Sequence, residues 1–503
     1  MPSLIEKTRR STLFVVPSQI VIKVVGLLYV ILVARFLSVE DYGVYNFFIG
    51  TIIVFSFFCN LGLGSSLQRF IPEYSQQKQS GRILKTIIFS HVFRAVLSII
   101  TFIVAAIWFD NWSESFNMQD QYDQFIIFAV GAFFLYQIEF AQIELNSLFM
   151  HASSSLVQAF YAILKLVLAY TVFELGFELS GLFMAEAASY LAGTLLFSYI
   201  LVTRVYAKYS KEQNDKEKNI EYKRIGRYSG INALAIPGGI LYSHSMDYFV
   251  VAALANPYQL GLYALASRAA RMLLSILPQN IMQGIIRPAF YHRYYAAKDK
   301  NAELERLFQS LIKLNAAFLF PALLLVGIVG EPLIAMLFGD KFIESTNIFL
   351  MFLVFNFFVV LEVPSDLVLQ AIEKVEVRLY AQIFAVYNIV AAIFLMRHYG
   401  VIGVAFATGT ALMFKCLFFY YMANRYTGIS LCWGALMKII VNVLVSGVAT
   451  YMFMALGDST VYFVGALLIG LLTYGLMTFI NNFMDDYEKG LVNKLCKRRL
   501  FNV

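Results

Sequence analysis

The sequence predicts an all-α, polytopic membrane protein with about 14 transmembrane helices. Of its 503 residues, 60% are hydrophobic and 14% are charged, whereas an ordinary soluble domain is about 45–50% apolar. The apolar residues form runs of roughly 20, which is the length that a helix needs to cross a bilayer. The period-2 alternation of a barrel strand is absent, so helices are the remaining way to satisfy the backbone in lipid.

Fourteen apolar runs follow one another along the chain, and we expect each to be a transmembrane helix. The polar stretches between them should turn at the membrane surfaces, as ARFLSVEDYGVYNFFIG does at residues 34–50. The expected spans are 12–35, 44–66, 84–109, 124–147, 153–173, 179–203, 229–254, 261–286, 308–330, 346–370, 379–396, 401–422, 433–456 and 461–483.

The polar turn after the first span returns in weaker form 218 residues later, which indicates an internal repeat. The corresponding positions are Gly43 with Gly261, Tyr45 with Tyr263, and Arg69 with Arg287. Six spans per repeat is an even number, so both copies enter the membrane from the same side. We therefore predict two six-helix lobes related by pseudo-two-fold symmetry, plus two extra C-terminal helices.

The most hydrophilic inner stretch, KYSKEQNDKEKNIEYKR, lies where a linker between two such lobes belongs. The expected segments are an N-terminal lobe at 1–203, a cytoplasmic linker at 204–228, a C-terminal lobe at 229–425, and accessory helices with a cytoplasmic tail at 426–503. The first apolar run is too long for a cleaved signal peptide, and Lys23 interrupts it.

The basic residues set the orientation. With the N-terminus inside, 28 of the 39 Lys and Arg residues fall in inner segments and three fall in outer loops. Cytoplasmic loops carry this excess in membrane proteins, so we expect both termini to be cytoplasmic. The net charge of +7 is thereby explained without a nucleic-acid partner.

Charged residues also occur inside the expected spans, where each would cost about 2.5–3.5 kcal/mol on a lone helix. They must therefore face protein or water, which predicts a polar interior. The cations are Lys23, Arg94, Lys165, Arg268, Arg271, Lys313, Lys415 and Lys438, and the acids are Glu139, Glu144, Glu186, Asp247, Glu362 and Asp366.

Two spans carry polar stripes at helical spacing. Arg268, Arg271, Ser275, Gln279 and Gln283 form one stripe on span 8, and His91 and Arg94 belong to a similar stripe on span 3. Two arginines one turn apart repel each other unless an anion or acids lie nearby. The predicted substrate-binding residues are Lys23, Arg94, Arg268, Arg271, Lys313 and Gln279, converging on a central cavity.

Structural roles compete with this interpretation. Lys165 and Glu186 lie on adjacent spans and are as well explained by an interhelical ion pair. Glu139 and Glu144 lie near the inner end of span 4, where we expect them to be solvated. Lys415 and Lys438 are expected to snorkel to the membrane surface.

The sequence shows few features that indicate an enzyme. The five histidines show no metal or acyl-transfer spacing, no Walker motif occurs, and the four cysteines form no CxxC pair. The outer loops are short for a membrane enzyme that must hold an acceptor. We therefore predict a protein that is not an enzyme and needs no metal.

ARFLSVEDYGVYNF, LGLGSSLQRFIPEY and LANPYQLGLYALA together resemble the polysaccharide-export branch of the multidrug/oligosaccharidyl-lipid/polysaccharide exporter superfamily. That branch includes the O-antigen and capsule repeat-unit flippases. The resemblance implies two six-helix lobes that alternate between inward- and outward-open states in the cytoplasmic (inner) membrane. It also implies undecaprenyl-pyrophosphate-linked oligosaccharides as cargo, with membrane lipids and a polysaccharide polymerase complex as partners.

The leading hypothesis is therefore a flippase for lipid-linked oligosaccharides in cell-surface polysaccharide biosynthesis. Asp247, Glu362 and Asp366 are its predicted ion-coupling residues, with H⁺ or Na⁺ as the coupling ion. A cation-coupled multidrug exporter of the same superfamily is the alternative. A glycan polymerase or acyltransferase is the third reading, against which the short outer loops argue.

Overall fold

A computed structural model describes residues 4–489 except 212–220, 234–243, 276, 278–279, 281–282, 375, 458 and 486–487. The described residues form helices and the loops that connect them, as predicted. The chain divides into two compact units, Met1–Gly261 and Leu262–Val503. The four expected segments are not tested by this division and stay a prediction.

The first unit is built mainly from long apolar helices. α1 is Leu4–Phe36, α2 Val39–Asn60, α3 Leu63–Gln76, α4 Ser80–Ile107, α5 Phe109–Glu114, α6 Tyr122–Ser147, α7 His151–Glu174, α8 Leu179–Ile200, α9 Ala207–Lys211, α10 Tyr222–Ala233 and α11 His244–Leu254. Short 3-10 and π segments occur at Gln119–Gln121 and Leu201–Tyr206.

The second unit repeats this construction. α12 is Pro257–Ser275, α13 Gln283–Ala296, α14 Lys300–Ile328, α15 Gly330–Phe338, α16 Thr346–Asn356, α17 Glu362–Ala371, α18 Val377–Tyr380, α19 Ile383–Thr427, α20 Trp433–Met454 and α21 Thr460–Ile480. The first turn of α12 belongs to the first unit. 3-10 segments lie at Asp340–Ser345 and Phe357–Leu361.

Eleven helical stretches of the described residues are long and apolar enough to cross a membrane. One of them, Val377–Thr427, covers expected spans 11 and 12, and it breaks at Gly400 with φ 62° and ψ −151°. Glycine reaches this region without a Cβ clash, so it allows the reversal. Expected spans 7 and 8 lie across the undescribed gaps, and the count of 14 is not confirmed.

The end of span 2 differs from the expected boundary. α2 ends at Asn60, and the left-handed residues Leu61 (φ 43°) and Gly62 (φ 78°) redirect the chain into α3. α3 alternates buried apolar and exposed polar residues, which is typical of a helix at a surface rather than across lipid. The apolar run 44–66 therefore contains a turn that its hydropathy hides.

Two repeat-related glycines lie at a close helix crossing. A Cβ on Gly43 would lie 2.1 Å from the carbonyl oxygen of Pro257, and a Cβ on Gly261 would lie 2.0 Å from that of Val39. The contacts are reciprocal, because each glycine meets the start of the other's helix. The repeat read from the sequence thus places matching residues at a crossing that only glycine tolerates.

Candidate functional site

The inner face of α4 carries polar side chains deep within an apolar helix. Ser90, Arg94 and Ser98 are spaced by four residues and are fully buried. The opposite face presents Ile88 and Val92, which are exposed and suited to lipid. The helix is therefore amphipathic: its polar face packs into the core of the first unit, and its apolar face is outside.

Arg94 is held between α4 and α6. Its Nη2 donates to Oε2 of Glu139 at 2.5 Å, and its guanidinium lies over the rings of Phe140 and Tyr136, 4.1 and 5.0 Å from their centroids. The carboxylate and the two ring faces stabilise the buried charge. In this conformation Arg94, which we predicted to bind the substrate, binds Glu139 instead.

One turn away, His91 joins a second acid of α6. Its Nε2 lies 2.9 Å from Oε2 of Glu144, and its Nδ1 lies 3.1 Å from Oε1 of Gln137. Ser90 donates to the other Glu144 oxygen at 2.9 Å. The Glu144 side chain is 0% exposed, so the expectation that it is solvated was wrong: the acid lies between α4 and α6 instead.

Several buried polar atoms around these pairs have no hydrogen-bond partner among the described residues. They are Nε and Nη1 of Arg94, Oγ of Ser98 and Nε2 of Gln137. Gln137 lines a cavity of about 270 Å³ together with His91, Thr194 and Ser198 and with apolar side chains that include Phe197. Buried polar groups are normally paired, so this cluster is a polar interior with unused donors, one of which lies next to open space.

A second buried network joins α7 and α8. Lys165 Nζ lies 2.8 Å from Oε1 of Glu186, which also accepts hydrogen bonds from the hydroxyls of Tyr29 (2.6 Å) and Tyr45 (2.8 Å). The interhelical ion pair expected for these residues is confirmed. Three donors share one oxygen of Glu186, so this acid links α1, α2, α7 and α8.

The predicted coupling acids of the second unit are also paired. Glu362 contacts Nζ of Lys415 at 2.6 Å, and Asp366 accepts two hydrogen bonds from Arg378 at 2.7 and 2.6 Å. Lys415 was expected to snorkel, and the Glu362 carboxylate holds it instead. The expected span boundaries placed Arg378 in an inner loop, whereas it lies on the short helix α18 and reaches back to Asp366.

Lys313 lies 219 residues after Arg94, one more than the offset of the internal repeat. Its Nζ lies 3.0 Å from Asp485 and 2.7 Å from Glu488, two residues that follow the last span. Lys438 donates to the carbonyl of Asn482 in the same region. Sequence analysis missed both acids because it placed them in a solvated tail.

The remaining predicted site residues have varied surroundings. Lys23 is exposed on α1, Asp247 is 1% exposed on α11, and Arg268 and Arg271 are half-buried on α12. Gln279 lies outside the described residues. Convergence of the predicted cations on one cavity concerns both units and stays a prediction.

Comparison of the fold with solved structures finds transporters. The fold matches that of the lipid II flippase MurJ, inward closed conformation, with a TM-score of 0.72 and 16% identity over 92% of this chain and 97% of that chain. An inward-facing multidrug resistance MATE family transporter of the MOP superfamily matches with a TM-score of 0.66 and 15% identity over 83% and 96%.

A third match is a MOP superfamily transporter from Pyrococcus furiosus, whose binding pocket is described as reversed in polarity. Its TM-score is 0.56 and its identity 14%, over 83% of this chain and 95% of that chain. No curated protein matches the chain in sequence. All three solved structures are of transporters or flippases.

The family model of polysaccharide biosynthesis proteins matches residues 32–347, which is more than half of the chain. The matched segment contains the polar turn at 34–50, the α4–α6 charge network and the repeat glycines. The all-helical fold is similar to those of the MurJ flippase and of the MATE family transporter. The chain therefore belongs to the polysaccharide biosynthesis protein family and is a multi-pass membrane protein.

Proposed function

We propose that the protein is a flippase that moves lipid-linked oligosaccharide repeat units across the cytoplasmic membrane for cell-surface polysaccharide synthesis. The main support for this proposal is the family match over residues 32–347 in a chain whose fold resembles that of a lipid II flippase. The cargo we propose is an undecaprenyl-pyrophosphate-type oligosaccharide, as in O-antigen or capsule synthesis.

The intramembrane arginines suit such cargo. A pyrophosphate leaving water needs a cationic partner, and arginine binds phosphate oxygens with two parallel N–H donors. Arg268 and Arg271 are half-buried on one face of α12. Arg94 is fully buried and paired with Glu139, so it contacts the substrate only in a conformation that exposes it.

We further propose that transport is coupled to a cation, with the proton as the leading candidate. His91 lies at a cavity and contacts the fully buried Glu144. Imidazole is the side chain that exchanges a proton near neutral pH. A carboxylate that is buried away from water needs a charged or hydrogen-bonding partner, and His91 provides one for Glu144. Gln137, Ser90 and Arg94 are the other polar groups around this pair.

The three acids predicted from the sequence remain alternatives for the coupling ion, H⁺ or Na⁺. Asp247 is buried on α11. Glu362 and Asp366 are each neutralised by a cation, so ion uptake there requires Lys415 or Arg378 to leave. Such a displacement is costly when the cation is left without a partner, which favours the histidine pair.

In this proposal the protein lies in the inner membrane with both termini in the cytoplasm, and a polysaccharide polymerase complex receives its product. Family membership and the excess of basic residues in the inner loops support this placement.

The deciding test is the sidedness of the lipid-linked oligosaccharide pool in cells that lack the protein. A membrane-impermeant sugar-modifying enzyme reports which leaflet holds completed repeat units. We expect completed units to accumulate on the cytoplasmic leaflet, and units that reach the outer leaflet at the normal rate would refute the proposal.

Arg268→Ala/Arg271→Ala should then fail to restore export although the protein still inserts. Lys208→Ala/Lys211→Ala is a matched control, because it removes two exposed cations at the end of the helical stretch Leu179–Lys211. Full export by the α12 variant would remove these arginines from the mechanism.

The second candidate is a cation-coupled multidrug exporter. The likeness to a MATE family transporter and the burial of Asp247 within an apolar helix favour it. On this reading Asp247→Asn cancels efflux of cationic dyes by otherwise intact cells. Unchanged dye sensitivity of cells lacking the protein would exclude it.

A further inference from the structure

A basic surface cavity lies outside the spans of the first unit, between α3 and α10. The two helices are held together by the 2.7 Å contact between the Ser66 and Ser229 hydroxyls and by the ring contact of Phe70 with Tyr228. Gly62 allows this approach, because a Cβ there would lie 2.2 Å from the Ser229 carbonyl oxygen. The cavity walls are therefore fixed by packing.

The cavity has a volume of about 900 Å³ and a basic, aromatic lining. Arg69, Lys223 and Arg227 are exposed at it, and among the described residues none of them lies in an ion pair. Arg69 lies over the ring of Tyr228, 4.7 Å from its centroid. The ring orients the guanidinium without neutralising it.

A fourth cation, Arg224, is already committed to acids. It contacts both oxygens of Glu73 at 2.7 and 3.1 Å and Glu221 at 3.1 Å. Glu221, the acid of the cavity lining, also accepts from Arg82 at 2.7 Å. Its hydrogen bond with Arg224 holds the pKa of Glu221 below its usual value. The acid is thus ionised and compensated, and the cavity keeps an excess of positive charge.

We infer that this cavity, defined by Arg69, Lys223 and Arg227, binds the diphosphate of the lipid-linked substrate before translocation. The inference rests on the proposed function and on the cytoplasmic placement of the inner loops. Three cations that form no ion pair among the described residues exceed what one phosphodiester headgroup needs but suit a diphosphate. Tyr222, Tyr228 and Ile231 add apolar contact for the adjoining sugar or first isoprene unit.

The test measures binding, not transport. Full-length protein in nanodiscs is titrated with an undecaprenyl diphosphate, with inorganic pyrophosphate, and with phosphatidylglycerol in the disc as competitor. Arg69→Gln/Arg227→Gln is compared with Lys208→Gln/Lys211→Gln, which removes the same charge from exposed positions outside the cavity. We expect the cavity variant to bind the polyprenyl diphosphate at least about 10-fold more weakly and the control to bind normally.

Arg69→Lys/Arg227→Lys guards against misfolding, since it keeps both charges and should retain most of the binding. Equal binding by the wild type, the cavity variant and the control would overturn the inference and leave the flippase proposal to the leaflet assay. Loss of binding in both the Arg69→Gln/Arg227→Gln variant and the Lys208→Gln/Lys211→Gln control would also overturn the inference. So would full competition by phosphatidylglycerol. In either case the surface would attract anionic lipid in general. Normal binding by the cavity variant with failed export in cells would place the diphosphate site elsewhere.

Discussion

The two units pair a buried intramembrane cation in different ways. Arg94 of the first unit is 0% exposed and pairs with Glu139, an acid of the neighbouring transmembrane helix. Lys313 of the second unit is 8% exposed and pairs with Asp485 and Glu488, which follow the last span. The two cations lie 219 residues apart, one more than the repeat offset. The acid that pairs with Arg94 lies on a helix of the first repeat, whereas the acids that pair with Lys313 follow the last span, outside the second repeat.

The difference shows what an internal repeat conserves. Gly43 and Gly261 keep reciprocal contacts, because a close backbone crossing leaves no alternative to glycine. A buried cation can be stabilised by any acid that reaches it, so its partner is free to change. Matching cations therefore do not imply matching functions, and the experiments below separate the two cases.

The largest expected effect on stability comes from removing Glu139, the acid that pairs with Arg94. Glu139→Leu leaves a fully buried guanidinium with only ring faces to stabilise it. We expect it to lower the free energy of unfolding by about 3–5 kcal/mol. Equilibrium unfolding in mixed micelles measures the change.

Arg94→Leu should cost less, because the Glu139 side chain left behind is 39% exposed. The double variant should be more stable than Glu139→Leu alone, since no buried charge remains. Additive losses would show that the two residues stabilise the unit independently and are not a pair.

The glycine crossing gives the next effect. Gly43→Ala places a methyl group 2.1 Å from a backbone oxygen that cannot rotate away. We expect a loss of about 1–3 kcal/mol from overpacking, with a lower thermal midpoint. Gly26→Ala is the matched control, since nothing lies within 4 Å of its added Cβ and alanine favours a helix. Equal stability of the two variants would contradict the crossing.

Sequence reasoning predicted the helical class, the repeat and the Lys165–Glu186 pair, because hydropathy, spacing and adjacent spans carry that information directly. It did not predict the partners of Arg94 or Asp366. Pairing depends on helix rotation and depth, which a difference in residue number does not encode. It also missed the turn at Leu61, because an apolar left-handed residue leaves no signal in hydropathy.

Lys313 should show a smaller effect than Glu139. Lys313→Met leaves Asp485 and Glu488 at the end of the spans, where the half-exposed Asp485 can return to water. We expect a loss of about 1–2 kcal/mol in the free energy of unfolding. Asp485→Asn should cost less than Glu488→Gln, whose carboxylate is better buried. A loss in the free energy of unfolding as large as that of Glu139→Leu would show that the ion pairs of Arg94 and Lys313 stabilise their units equally.

The smallest effect concerns Glu221, which joins α10 to α4 through Arg82 and Arg224. The hydrogen bond from Arg224 lowers the pKa of Glu221. The folded state therefore binds this proton less readily than the unfolded chain does, and the acid stabilises the fold above its unfolded pKa of about 4.3. That contribution is lost as the pH falls through the lower, folded-state pKa.

Because Glu221 is a third exposed, water screens its pairs and the contribution should stay below about 1 kcal/mol. Glu221→Gln should be slightly less stable than the wild type at pH 7, and the difference should shrink as the solution is acidified. Unfolding of both proteins across this range measures it. A difference that grows on acidification would mean that Glu221 is held protonated, and the excess positive charge of the adjoining cavity would then be larger than the ion pairs indicate.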